Sequence, residues 1–150
     1  MEVIDQEVGT RSVAYAGFWE RFGAALIDGI LMGVVGMAVG LAMGEGTFEA
    51  NDNGFTYRSS DLIGTIIGIF YYVGMETSKH QATLGKKALN LKVTDMDGNR
   101  LTIGRSIGRY FAKILSAMIL LIGYLMQPFT QKKQALHDML AGTLVVKDQQ

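Results

Sequence analysis

"RFGAALIDGILMGVVGMAVG", from Arg21 to Gly40, decides how this chain is read. It belongs to a longer run, Phe22 to Met43, of 22 residues carrying one charge, Asp28. At about 1.5 Å per helical residue that run is roughly 33 Å long, enough to cross a hydrocarbon core of about 30 Å. A transmembrane helix is expected over about 22–43, with a carboxylate inside it. An acid at the centre of such a helix costs about 2.5–3.5 kcal/mol on insertion scales, so Asp28 should face the protein interior or water and be paired. Arg21 is the nearest cation, seven residues earlier. Seven helical steps return to within about 20° of the same face, with roughly 10 Å between the two along the axis. Arg21 and Asp28 are thus candidates for a proton or cation site. The alternative is a packing role, in which Asp28 only holds a neighbouring helix through a hydrogen bond worth about 0.6 kcal/mol.

Working outward, aromatic Tyr15, Phe18 and Trp19 precede the run and suit a membrane–water interface. The residues before it include Glu2, Asp5, Glu7 and Glu20, whereas a signal peptide opens with a basic region, so the run reads as retained. Residues 44–61 are polar and contain "NDNG", a loop. Leu62 to Met75 is free of charge, and with its flanking serines and threonines it predicts a second span over about 59–77, closed by Glu76 near its end. Residues 78–110 turn basic, and within them "LNLKVTDMDGNRLTI" alternates around Asp97-Gly98, which predicts a β-hairpin over 89–103. A third apolar stretch, Ile114 to Met126, predicts a membrane-embedded segment over about 111–127 that either spans or dips and returns. In the tail, 130–150, a short helix from about Gln134 to Ala141 ends at Gly142, and "TLVVK" suits a strand. The fold expected is an all-α membrane protein: one domain over 1–150, two transmembrane helices, a third embedded segment and a small cytoplasmic hairpin.

Charge sets the orientation. The 76–110 connection carries seven bases and the 44–61 loop one, so the former and the N-terminus are expected in the cytoplasm, in a cell or inner membrane. A full third crossing would place the tail outside. A re-entrant one keeps it cytoplasmic, where "TLVV" can reach the hairpin as an added strand.

Composition removes several function classes. Of 150 residues 49% are hydrophobic, and 14 bases balance 14 acids, which argues against nucleic acid as a partner. There is no cysteine and only His80 and His137, so no thiolate chemistry or histidine-rich zinc site is expected, no cofactor is called for, and no nucleophile–base set suggests an enzyme. "ATLGKK" lacks the upstream glycine and the Ser/Thr of a phosphate loop, and "DMDGN" lacks the spacing of a calcium loop; both read as turns. "LHDML" sets His137 beside Asp138, either a proton relay or a pair that caps a surface helix. Gly36, Gly40 and Gly44, with Gly64 and Gly68 in the second span, repeat every fourth residue and permit close helix contact, here also between copies in a homo-oligomer.

Three pieces together, "YAGFWERFGAALID", "ATLGKKALNLKVTDMDGNRLTIGRSIGRYFAK" and "QALHDMLAGTLVV", resemble the RDD family of membrane proteins, named for one arginine and two aspartates. The resemblance runs from Tyr15 to Val146 and implies that Arg21, Asp28 and Asp138 are those three residues; it also suggests that they form one cluster, which requires the tail to reach the first helix. It also implies a role in transport, with cation/proton exchange proposed for some members. The function expected is therefore a multi-pass membrane protein that moves a small ion or solute, using Arg21, Asp28 and Asp138, with His137 and Glu76 as further candidates. Its expected partners are the lipid bilayer, a second copy of itself, and a small cation or proton. The rival is a membrane scaffold or assembly factor in which the charged trio is structural.

Overall fold

The computed structural model describes residues 14–45, 58–118 and 126–148. Helix α1 (Phe18–Ala42) starts four residues before the apolar run, because Glu20 accepts a hydrogen bond from the Gly17 N–H at 2.8 Å and closes the first turn. Helix α2 (Ser59–Thr77) opens the same way, Asp61 accepting from the Arg58 N–H at 2.9 Å. A short α3 (Leu84–Ala88) leads into β1 (Leu91–Asp95). Then come α4 (Ile103–Met118), a 3-10 turn on Pro128 (Gln127–Phe129), α5 (Leu136–Ala141) and β2 (Thr143–Lys147). Gly142, at φ 64°, ends α5 in the left-handed conformation and passes the chain straight into β2.

The molecule is mostly helical with one small antiparallel sheet, in which Leu91 faces Lys147, Val93 faces Val145 and Asp95 faces Thr143. This corrects the expected hairpin. Its turn is present: Gly98 adopts φ 83° and Asp95 Oδ1 accepts from the N–H groups of Asp97 and Asn99 at 2.9 and 2.8 Å. Beyond Asn99, whose carbonyl accepts from the Asp95 N–H at 2.9 Å, the second arm does not pair, because both edges of β1 are already taken. One edge holds β2, and on the other the Val93 N–H donates to the Gln81 carbonyl at 2.7 Å. The tail is thus the partner of the basic segment. The N-terminal lead-in joins them: the Ala16 N–H donates to Val145 O at 2.9 Å and the Lys147 N–H to Ala14 O at 2.8 Å. A compact apolar cluster, Ala16, Ala24, Leu91, Val93, Leu101 and Val145, fills the space between this sheet and the start of α1.

Elsewhere the usual distribution of polarity is inverted. Along α1, Trp19, Leu26, Ile30, Val34, Met37 and Leu41 form an exposed apolar stripe from end to end. Helix α4 exposes Ile103, Ile107, Phe111, Ile114 and Met118 at helical spacing and buries Ser106, Arg109 and Ser116 on the other side. Charges inside and hydrocarbon outside is the arrangement that a lipid solvent favours. Among the described helices α1 alone is long and apolar enough by itself to cross a membrane. The third segment, expected over 111–127, instead begins as a helix at Ile103; residues 119–125, like most of the 44–61 loop, lie outside the described residues. Helix α2 packs on both α1 and α4, α3 packs on α1, and α4 packs on α5.

Candidate functional site

Two polar centres lie inside this shell. The first answers the question set by Asp28. Its carboxylate is buried and takes three hydrogen bonds: from Thr83 Oγ1 at 2.6 Å, Tyr71 OH at 2.8 Å and the Gly85 N–H at 2.9 Å. Those donors belong to the first turn of α3 and the α2 tyrosine that flanks it. Helix α3 has orphan N–H groups at its N-terminus, as any helix does. The Leu84 N–H donates to Tyr71 OH at 2.9 Å, the Gly85 N–H to Asp28, and the Lys86 N–H to Thr83 Oγ1 at 3.4 Å. "ATLGKK" therefore does cradle an anion, and that anion is the chain's own carboxylate. The approach demands glycine at 85. A Cβ there would stand 2.1 Å from the Ala24 carbonyl oxygen and 2.9 Å from Asp28 Cγ.

This overturns the expected pairing of Arg21 with Asp28. Helical side chains lean toward the N-terminus, so Arg21 points away from Asp28 even though both share one face. It reaches the tail instead, where it forms an ion pair with Asp138 and donates from Nη2 to the Lys133 carbonyl at 2.8 Å. Lys133 holds φ 48°, a left-handed conformation that turns this carbonyl into place.

The second centre is built on Arg109, buried to 1% exposure. Its Nε and Nη2 donate to Asp138 Oδ1 at 3.1 and 2.9 Å, and its Nη1 donates to Glu76 Oε1 at 2.5 Å. Glu76 also receives Lys86 Nζ at 2.5 Å, with Ser106 Oγ at 3.5 Å and Lys113 Nζ at 3.7 Å. The network thus ties α1, α2, α3, α4 and α5 through alternating charges. Asp138 caps its own helix as well, accepting from the Ala135 N–H at 3.2 Å. Burial alone would raise the Asp138 carboxyl, but the guanidiniums of Arg109 and Arg21 outweigh it and hold it well below the usual carboxylate range. Burial pulls Lys86 down to about 7 against the attraction of Glu76. Burial also takes His137 down to about 3, which leaves its imidazole neutral beside Asp138, 3.4 Å away. No group of three acidic or histidine side chains converges as a metal-ligand set among the described residues.

Of the expected trio, then, the structure joins Arg21 and Asp138 and gives Asp28 its own partners. Glu76 is a member of the network, and His137 borders it. Sequence reasoning passed over Arg109, the residue at its centre, by counting it among the bases of a cytoplasmic loop. A signal existed: Ser106, Arg109, Lys113 and Ser116 follow one another at spacings of three, four and three on the side of α4 opposite its apolar stripe.

A cavity of about 540 Å³ opens beside both centres. Arg21, Asp28, Lys86, Arg109, Lys113 and His137 supply its polar wall, while Phe18, Phe22, Ala25, Ile114 and Ala117 supply the apolar remainder. Glu76 and Asp138 do not line it; they stand behind Arg109.

Comparison with known proteins adds the following. A family model described as the RDD family matches residues 15–142. The chain is similar to the uncharacterized protein YxaI of Bacillus subtilis (strain 168), 39% identical over 146 residues that cover 87% of this chain and 96% of that one. It is similar to the uncharacterized membrane protein YteJ of the same strain, 31% identical over 150 residues, covering 95% and 87% respectively. An uncharacterized protein of Haemophilus influenzae shares 26% identity over 144 residues, 91% of this chain and 81% of that one. No solved structure matches the chain.

Proposed function

This chain belongs to the RDD family, and on that premise we propose that it is a membrane-embedded protein that binds and passes a small ion or solute at the cavity beside its buried charge network. The observation that carries this reading is the placement of Arg21, Asp28, Lys86, Arg109 and Lys113 along one cavity inside an apolar exterior. Ionisable groups at membrane depth are costly, and a cavity lined by them is where a charged solute can exchange water for protein. The proposal is one of binding and passage rather than catalysis. It includes a homo-oligomer: Gly29 and Gly33 are exposed on α1 with nothing within 4 Å of a Cβ position, which favours close approach of a second copy. It places the basic 78–110 segment in the cytoplasm of a cell or inner membrane, as the charge asymmetry favours.

The test is flux. Purified protein in vesicles under an imposed pH gradient should give cation-dependent proton movement above empty vesicles. Asp28→Asn retains an acceptor for two of its donors, and a rotated Thr83 hydroxyl can accept from the new amide, so the variant should fold and show altered flux. No flux from wild type, or equal flux from both proteins, removes this role for Asp28.

One observation favours the rival scaffold. Both oxygens of Asp28 are already engaged by neutral donors, and each acid of the second centre is paired. On that reading Asp28→Asn lowers accumulation in the membrane and leaves transport at the empty-vesicle level.

A further inference from the structure

The cavity has a polarity of its own. Its four cationic side chains, Arg21, Lys86, Arg109 and Lys113, stand on the wall. The two acids that neutralise half of that charge, Glu76 and Asp138, lie one layer further in. The third acid, Asp28, reaches the wall with both oxygens already occupied by Thr83, Tyr71 and Gly85. A ligand in the cavity therefore meets positive charge first.

Two donors are under-used. Lys113 Nζ is 3.7 Å from Glu76, the longest of that acid's ion pairs, and otherwise lies over the face of Tyr72, 4.9 Å from the ring centroid. Arg21 Nε is buried and makes no hydrogen bond among the described residues. The rest of the lining is hydrocarbon and aromatic. Phe22 and Ile114 line the cavity and are also 52% and 48% exposed on the apolar exterior, so its mouth opens toward lipid. That mouth lies between α1 and α4, which both pack on α2 but scarcely on each other. The volume suits a ligand of modest size.

We propose that this cavity binds the anionic head group of a membrane amphiphile, a phosphate or carboxylate held by Lys113 and Arg21, whose apolar chain leaves between α1 and α4 into the bilayer. Basic pockets between membrane helices recognise such head groups by charge-assisted hydrogen bonds, and a lateral opening spares the chain any contact with water. The inference rests on the membrane-embedded reading given above and narrows the solute class from a small ion to an anionic amphiphile.

The full chain in discs of zwitterionic lipid is titrated with labelled dodecyl phosphate, dodecyltrimethylammonium and inorganic phosphate. Saturable binding of dodecyl phosphate is expected, with the other two weaker by about tenfold or more. Lys113→Gln should weaken dodecyl phosphate by about tenfold, the loss of one hydrogen bond to a charged group. Ala25→Phe, which fills the apolar part without touching a charge, should weaken dodecyl phosphate while leaving inorganic phosphate as it was. The inference is overturned by no saturable binding to folded wild type, by equal binding of the cationic amphiphile, or by inorganic phosphate competing with equal affinity, which would mark a soluble anion. It is also overturned if both variants elute as wild type does and bind unchanged. Should either variant fail to fold, the three-ligand comparison on wild type decides. Flux in the vesicle assay with no amphiphile binding discards the amphiphile and keeps transport; binding without flux does the reverse.

Discussion

Gly85→Ala is the sharpest probe of how α3 docks on α1. The added methyl would lie 2.1 Å from the Ala24 carbonyl oxygen and 3.0 Å from the Ala24 carbonyl carbon, both backbone atoms of a helix that cannot step aside. Ordinary contact requires α3 to retreat by about 1 Å or more, and overpacking of this kind costs about 1–3 kcal/mol. The retreat also breaks the Gly85 N–H bond to Asp28, now 2.9 Å, and a hydrogen bond to a charged group is worth about 1.5–3 kcal/mol. Alanine returns up to about 1 kcal/mol through helix propensity. The net loss is roughly 2–5 kcal/mol, or a fall in Tm of about 5–15 °C for a chain of this size. Gly108→Ala is the control: it sits on the exposed side of α4 with nothing within 4 Å of its Cβ position. It should be neutral or slightly stabilising. Thermal unfolding in detergent, followed by loss of monodisperse elution, measures both. A Tm for Gly85→Ala within about 2 °C of wild type, or an equal fall for Gly108→Ala, would refute the close docking of α3 on α1.

Arg109→Gln leaves Glu76 and Asp138 buried without their shared partner, and breaking a buried pair costs about 3–5 kcal/mol, so the protein should fail to accumulate in membranes; Arg109→Lys should rescue poorly, because an ammonium cannot serve both acids from one planar fork. Immunoblotting of membrane fractions reads both. His137 is neutral in the fold, its pKa brought down to about 3 by burial, whereas in the unfolded chain it titrates at 6.5. Above that pH neither state holds the proton; between the two values only the unfolded state does, so stability falls as pH drops, by about 1.4 kcal/mol per unit. Tm should decline from pH 6.5 to pH 5 in wild type and stay flat over that interval in His137→Gln, with Asp138 adding an acid loss only at lower pH. The chain has no cysteine, so Lys79→Cys and Lys132→Cys can be tested singly on intact cells with an impermeant thiol reagent. Both should be protected; labelling of Lys132→Cys alone would put the tail on the far side from the basic segment.

Composition carried α1 and α2, because an uninterrupted apolar run needs no knowledge of what it touches. Gly142 marked the end of α5 for the same reason: a left-handed cap is a local demand. The reading failed where the answer depended on distant partners. Alternation over Leu89–Val93 announced a strand, Asp97-Gly98 a turn, and "TLVV" a strand that could be added to them, yet nothing local says that the hairpin's own second arm stays out of the sheet while residues 143–147 take the edge of β1. Helical geometry placed Arg21 and Asp28 on one face, but sharing a face does not make two residues partners. Arg21 found Asp138 117 positions away, and Asp28 found donors in α2 and α3. Arg109 stayed hidden because a base in a basic segment looks solvated until α4 is seen to turn its apolar side outward.

The two polar centres solve a single physical problem. In lipid there is little hydrophobic drive to bring one helix to another, so assembly must come from close packing and from polar groups that have no better option. Lys113 of α4 aside, the charged residues of the network each come from a different element: Arg21 from α1, Glu76 from α2, Lys86 from α3, Arg109 from α4, Asp138 from α5. No pair of them is close enough in sequence to be satisfied locally, so each is stranded until all five elements meet. The small sheet then ties the same elements from outside, joining residues 14–16, 91–95 and 143–147. Gln127 adds a further tie, its Nε2 donating to the Ala16 carbonyl at 3.1 Å. Gln127 thus stands beside Ala16, the residue that leads into α1. Asp28 tolerates its depth in α1 for the same reason that the tail returns: both supply the charge without which the pieces at this end of the molecule would have nothing to hold.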